Sequence, residues 1–131
     1  MLPKILIVED DVSALEYYGL ALEGHCTVLQ AASLLEARDA LKANPDVALI
    51  AVDGCFPKIP GGSPYPETGR SCSGEKFIAG IRLPGVPIIA CSSDPALNRK
   101  MQTVGATHTS AKCHALQALV LKLLALPAAS C

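Results

Sequence analysis

Short apolar runs and longer amphipathic stretches alternate along this chain. Residues 4–8, 27–31, 47–52, 87–91 and 107–110 have the composition and length of strands. Two of these regions, Val47-Ala48-Leu49-Ile50-Ala51-Val52 and Val86-Pro87-Ile88-Ile89-Ala90-Cys91, are continuously apolar. That pattern fits central parallel strands covered on both faces. Helices are expected near 13–24, 33–44, 74–82, 95–104 and 114–126. Ser13-Ala14-Leu15-Glu16 and Ser33-Leu34-Leu35-Glu36 match the capping box, and Asp94-Pro95 offers an N-cap followed by proline at the first helical position. Five strands alternating with five helices predict an α/β protein built on a doubly wound parallel sheet.

One stretch breaks the alternation. Residues 61–74 are rich in Gly, Pro and Ser and cannot be helix or strand throughout. A loop of that length inside a compact domain is usually functional or mobile. The 131 residues otherwise fit a single domain, 1–131, and no internal repeat is evident.

Composition narrows the function classes. A 50% hydrophobic chain with net charge -1 is neither a disordered tail nor a basic surface suited to phosphate backbones, and with 4% aromatics it has little to stack on bases. Direct nucleic-acid binding is therefore not expected. The apolar N-terminal run is too short for a signal-peptide core, and the stretch 118–129 is interrupted by Lys122 and Pro127. No membrane association is expected, and a cytoplasmic location is. In that reducing compartment Cys26, Cys55, Cys72, Cys91, Cys113 and Cys131 are read as free thiols.

The acids fall where such sheets bind ligands, at the carboxyl ends of the strands. The first strand runs into Glu9-Asp10-Asp11 and the third into Asp53. If those strands are neighbours, several carboxylates converge and repel unless a cation neutralises them; a hard divalent ion such as Mg²⁺ fits oxygen donors. For Asp11 the plainer reading is capping of the first helix. The fourth strand ends in Ser92-Ser93, and Lys112 follows the fifth. Carboxylate, metal, hydroxyl and ammonium are together the parts needed for phosphoryl transfer to an aspartate.

Over essentially its whole length the chain resembles a response-regulator receiver domain of two-component signalling. Lys4-Ile5-Leu6-Ile7-Val8-Glu9-Asp10-Asp11 resembles the family's first strand and acidic pair, and Asp53-Gly54-Cys55-Phe56-Pro57 its Asp-x-x-Met-Pro pattern. Pro87-Ile88-Ile89-Ala90-Cys91-Ser92-Ser93 and Gly105-Ala106-Thr107-His108-Thr109-Ser110-Ala111-Lys112 are similar to the segments ending in its Ser/Thr and its lysine. The resemblance implies the flavodoxin-like strand order 2-1-3-4-5. It makes Asp53 the phosphoacceptor, assisted by Lys112 and Ser92, with Mg²⁺ held by Glu9, Asp10, Asp53 and the main-chain carbonyl of Cys55. It implies a sensor histidine kinase or histidine phosphotransfer protein as donor and a protein output partner. Such a domain is not an enzyme beyond its own phosphorylation and dephosphorylation. Whether the chain works alone or is a piece of a longer regulator stays open.

Three departures from that pattern stand out. Either Gly61 or Gly74 fits the glycine that opens the third helix, leaving an atypical Gly/Pro-rich insertion at about 61–74 that is either a lid or docking loop or a tolerated surface insertion. The switch positions are Ser92 and Thr109, and a threonine cannot make the inward swing of the family's aromatic ring. The proline that follows the lysine, typically in a cis bond, is Cys113 here. A cis bond before a non-proline residue costs about 3 kcal/mol, so a different or strained local conformation is expected.

In the last helix Leu116, Leu119, Val120 and Leu123 form a core stripe, whereas Leu121, Leu124 and Leu126 lie off it and predict an apolar outer face for a homodimer or partner. The main alternative is a pseudo-receiver, a phosphorylation-independent interaction module. A phosphatase of the haloacid-dehalogenase type would need an acid at Cys55. Zinc or redox chemistry by His25-Cys26, Cys72 and Cys113-His114 lacks a Cys-x-x-Cys spacing, and flavin binding lacks a phosphate-cradling loop after the first strand.

Overall fold

The computed structural model describes residues 1–64 and 72–125. Its elements are β1 (Lys4–Val8), α1 (Val12–Ala21), β2 (Thr27–Ala31), α2 (Leu34–Ala43), β3 (Leu49–Val52), α3 (Ser73–Ala79), β4 (Ile88–Ala90), α4 (Pro95–Thr103), β5 (His108–Thr109) and α5 (His114–Ala125). The strands form one sheet in the order β2-β1-β3-β4-β5, parallel at every pairing. This is the expected flavodoxin-like arrangement. No helix among the described residues is long and apolar enough to cross a membrane.

The continuous apolar runs arise because both faces of the sheet are covered. Leu6, Val8, Ile50 and Val52 pack with Leu34, Ala37, Phe77 and Met101 in the layer of α2, α3 and α4. Their neighbours Ile5, Ile7, Leu49, Ala51 and Ile89 pack with Ala14, Tyr18, Leu116 and Val120 of α1 and α5. Side chains alternate between faces, but each face meets helices, so every position selects an apolar residue. At about 1.5–3 kcal/mol per fully buried large side chain, these two layers supply the main drive for folding.

Two helix starts match the sequence reading and one differs. Ser33 Oγ accepts from Glu36 N–H (3.1 Å) and donates to Glu36 Oε1 (3.1 Å), while Asp94 accepts from Ala96 N–H (3.0 Å). The expected capping box at Ser13 does not form. Asp11 is the N-cap of α1, its carboxylate accepting from Ser13 N–H at 2.9 Å. A carboxylate there gains from the helix dipole as well as the hydrogen bond. β3 starts at Leu49 rather than 47 because Val47 N–H turns back to the Asn44 carbonyl (3.2 Å).

The expected apolar outer face of α5 is also corrected. Leu121 and Leu124 are half-buried against the α1/α5 layer. Gln117 Oε1 accepts from Tyr17 O–H of α1 (2.7 Å), and residues four and seven further along lie on that same side. Helix α5 therefore packs against α1 as well as the sheet. Exposed large hydrophobics among the described residues lie elsewhere, at Met1, Leu2, Val12, Leu20, Leu35 and Ile59. Leu126 lies outside the described residues.

Candidate functional site

Sheet register brings the acids together. Val8 pairs with Val52 across β1 and β3, so Glu9 and Asp53 stand side by side one step beyond. Asp53 N–H donates to the Val8 carbonyl and Glu9 N–H to the Ala31 carbonyl, both at 2.9 Å. Carboxylate oxygens of Glu9, Asp10 and Asp53 lie within 4.8 Å of one another. Glu9 is 2% exposed and Asp53 7%. They open onto a cleft of about 340 Å³ also lined by Cys55, Pro64, Ser92, Ser93 and Lys112.

One ammonium serves this group. Lys112 Nζ lies 2.8 Å from Glu9 Oε1 and 3.2 Å from Asp53 Oδ2. Asp53 Oδ1 accepts from Gly54 N–H (2.7 Å), and Glu9 Oε2 accepts from the N–H groups of Asp10 (3.1 Å) and Asp11 (3.3 Å). Burial pushes the Asp53 carboxyl up to about 7, with the Glu9 charge adding and Lys112 opposing. Burial also raises Asp10, again with Glu9 contributing. For Lys112 burial acts downward, but its hydrogen bond to Glu9 and the charges of Asp53 and Glu9 outweigh it and the net shift is upward. Asp10 and Asp53 are raised despite the adjacent lysine, and the converging oxygen donors of Glu9, Asp10 and Asp53 fit a hard divalent cation such as Mg²⁺.

The opposite wall is held by side chains. Ser92 follows β4, and the Asn98 amide clamps its backbone from α4: Asn98 Oδ1 accepts from Ser92 N–H (2.8 Å) and Asn98 Nδ2 donates to the Ser92 carbonyl (2.9 Å). Ser92 Oγ accepts from Asp94 N–H (3.1 Å). Past β5, Cys113 adopts φ 58, and no peptide bond among the described residues is cis. Its N–H donates to the Tyr18 hydroxyl at 2.8 Å. Tyr18 is 1% exposed, and burial pushes its phenol up to about 12. A left-handed residue pinned by a buried tyrosine thus sets the chain direction just after Lys112.

No protein-family model and no curated protein matches the chain. Solved structures do. The chemotaxis protein CheY4 of Vibrio cholerae superposes with a TM-score of 0.69 at 21% identity, covering 94% of this chain and 97% of its own. The HemR receiver domain of Leptospira biflexa gives a TM-score of 0.69 at 20% identity, covering 95% and 96%. A Chloroflexus aurantiacus protein proposed to be a response regulator gives 0.72 at 24%, covering 96% and 100%. The chain has the receiver fold.

Within that receiver fold, the structure gathers Glu9, Asp10, Asp53, Ser92 and Lys112 around one cleft, and Cys55 lines it. Thr109 is exposed and does not line it. Of the two candidate glycines, Gly74 is the one packed on the site: a Cβ there would strike the carbonyl oxygen of Asp53 and meet that of Gly54. Gly61 has open space around it. The insertion therefore precedes α3 and contributes Pro64 to the cleft wall, while its residues 65–71 lie outside the described residues. Sequence reasoning missed Asn98 and Tyr18. Tyr18 is readable as a buried aromatic with a polar tip needing a partner, but nothing local points to a partner 95 residues away.

Proposed function

We propose that this chain is a phosphorelay receiver in which Asp53 accepts a phosphoryl group, with Mg²⁺, from a phosphohistidine of a sensor histidine kinase or histidine phosphotransfer protein. The observation that carries the reading is the buried Asp53 carboxylate set between Lys112 at 3.2 Å and the Glu9–Asp10 pair. An Asp53 oxygen bonds to phosphorus as the phosphorus–nitrogen bond to the imidazole breaks. Glu9, Asp10, Asp53 and the main-chain carbonyl of Cys55 would hold Mg²⁺, which would supply positive charge for the transferring phosphoryl group. Lys112 is close enough to move from the carboxylate onto those oxygens. Ser92 Oγ already accepts from Asp94 N–H, which leaves its own proton to donate. The acyl phosphate adds nearly two negative charges and pulls on Ser92 and Lys112, altering the surface that a protein partner reads. In this reading the chain works in the cytoplasm and catalyses only its own phosphorylation and dephosphorylation.

A second reading, a pseudo-receiver that binds partners without phosphorylation, is favoured by the exposed Thr109, which has no ring to move inward. Intact mass after incubation with Mg²⁺ and acetyl phosphate separates the two. The receiver reading expects one added phosphoryl group, lost with EDTA and absent from Asp53→Asn. No adduct, together with no Mg²⁺ binding by calorimetry, would select the pseudo-receiver.

A further inference from the structure

The connection from β3 to α3 carries two thiols beside the acidic cleft. Cys55 stands two residues beyond Asp53 and Cys72 caps α3, with the insertion between them in the chain. Their Sγ atoms nevertheless lie 2.7 Å apart. Both thiols are free and half-buried. Backbone contacts hold them there independently of the sulfurs: Gly74 N–H donates to the Gly54 carbonyl (3.1 Å), tying the start of α3 to the residue before Cys55. Gly74 can approach that closely only because it lacks a side chain. The remaining described cysteines are placed differently, with Cys26 and Cys91 buried in the α1/α5 layer and Cys113 exposed.

We propose that Cys55 and Cys72 are a redox-responsive pair that closes to a disulfide at the lip of the cleft, turning the insertion into a covalent loop. A disulfide has its sulfurs about 2.05 Å apart, so closure asks for less than an ångström of sulfur movement. The oxidant is a hydroperoxide. One thiolate attacks the peroxide oxygen, the O–O bond breaks, and a sulfenic acid and, with hydrogen peroxide, water result. The second thiolate then attacks the sulfenic sulfur; the S–S bond forms, the S–O bond breaks, and the departing hydroxide leaves as water with the second thiol's proton. In sum, two thiols and one hydrogen peroxide give a disulfide and two waters. Cys55 lines the cleft, so oxidation alters the wall nearest Asp53. The pair is absent from the Cys-x-x-Cys patterns that signal such chemistry in sequence because its members bracket the insertion.

The test uses the full chain, reduced and then exposed to hydrogen peroxide, alkylated and mapped by mass spectrometry. The expected product has lost two of its six free thiols, weighs less by the two thiol hydrogens, joins the peptides carrying Cys55 and Cys72, and reverts with dithiothreitol. Cys72→Ser and Cys55→Ser each lose this intramolecular link, while Cys113→Ser keeps it. Peroxide-treated wild type in which Cys55 and Cys72 both remain alkylatable, or in which the link joins other cysteines, would overturn the proposal. Thiol counting and cross-link mapping do not involve phosphate, so this result stands or falls separately from the receiver reading.

Discussion

Glu9 and Asp53 reach the cleft on backbone hydrogen bonds between adjacent strands, whereas the backbone at Ser92, and at Cys113 just after Lys112, is held by side chains reaching in from α4 and α1. The acidic wall is thus a consequence of sheet register, which is fixed once the apolar faces of β1 and β3 are buried. The hydroxyl and ammonium wall depends on two polar clamps, each made of one or two hydrogen bonds. Register is disturbed only by crowding the backbone. A clamp is undone by deleting one group. The wall that departs most from the receiver pattern is the clamped one, where Cys113 stands in for proline. Its N–H is the donor that Tyr18 uses, and a proline would not supply one.

The sharpest way to break the register-built wall is Gly74→Ala, which drives a Cβ onto the Asp53 carbonyl. We expect a loss of about 3 kcal/mol in urea unfolding and a displaced Asp53 backbone. Gly61→Ala, strained by φ 79 but in open space, should cost only about 1 kcal/mol. Equal effects would mean that Gly74 does not pack on the site as described.

Next in size is the charge imbalance on the same wall. The Asp53 carboxyl is held near 7 when folded against an ordinary value of 3.8. Between those values the folded chain keeps a proton that the unfolded chain has lost, so stability falls as pH rises and levels off above 7. In metal-free buffer the wild type should lose about 2–3 kcal/mol relative to Asp53→Asn between about pH 5 and 8. Saturating Mg²⁺ should flatten the difference. Parallel pH profiles without metal would contradict the account of Asp53.

The clamped wall should respond more modestly. Tyr18→Phe removes the acceptor of Cys113 N–H and Asn98→Ala removes both bonds to Ser92; each should cost about 1–2 kcal/mol. The two contacts share no partner, so their effects should add, and strong coupling in a double-mutant cycle would show that the clamps are one unit. Smallest is Cys113→Gly, which relieves the left-handed strain at φ 58 and should stabilise by about 1 kcal/mol or less. Cys113→Pro should instead destabilise, since proline cannot adopt that φ; a neutral proline variant would mean the turn is not fixed as described.

The same contrast explains what could be read from the sequence. β1, β2 and the caps of α2 and α4 follow from local pattern, because strand composition and capping act over a few residues, whereas the convergence of Glu9 and Asp10 with Asp53 depends on β1 and β3 being neighbours in the sheet. Ser13-Ala14-Leu15-Glu16 has the capping-box pattern, but the carboxylate of Asp11, two residues earlier, accepts from Ser13 N–H and starts the helix upstream of it. The outward-facing reading of Leu121 and Leu124 assumed that α5 packs on the sheet alone; its second neighbour α1 is a long-range fact carried by Tyr17 and Gln117. Asn98, the partner of Tyr18 and the Cys55–Cys72 contact are all set by tertiary approach, and spacing does not signal them. The choice between Gly61 and Gly74 needed the distance to the Asp53 carbonyl.

The most direct test of the central claim maps the phosphoryl group itself. After treatment with acetyl phosphate and Mg²⁺, borohydride reduces an aspartyl phosphate to homoserine, and peptide sequencing by mass spectrometry locates it. The account predicts homoserine in place of Asp53 and at no other acid. Homoserine at Asp10 or Asp11, or an unmodified Asp53 in protein shown to bind Mg²⁺, would contradict it.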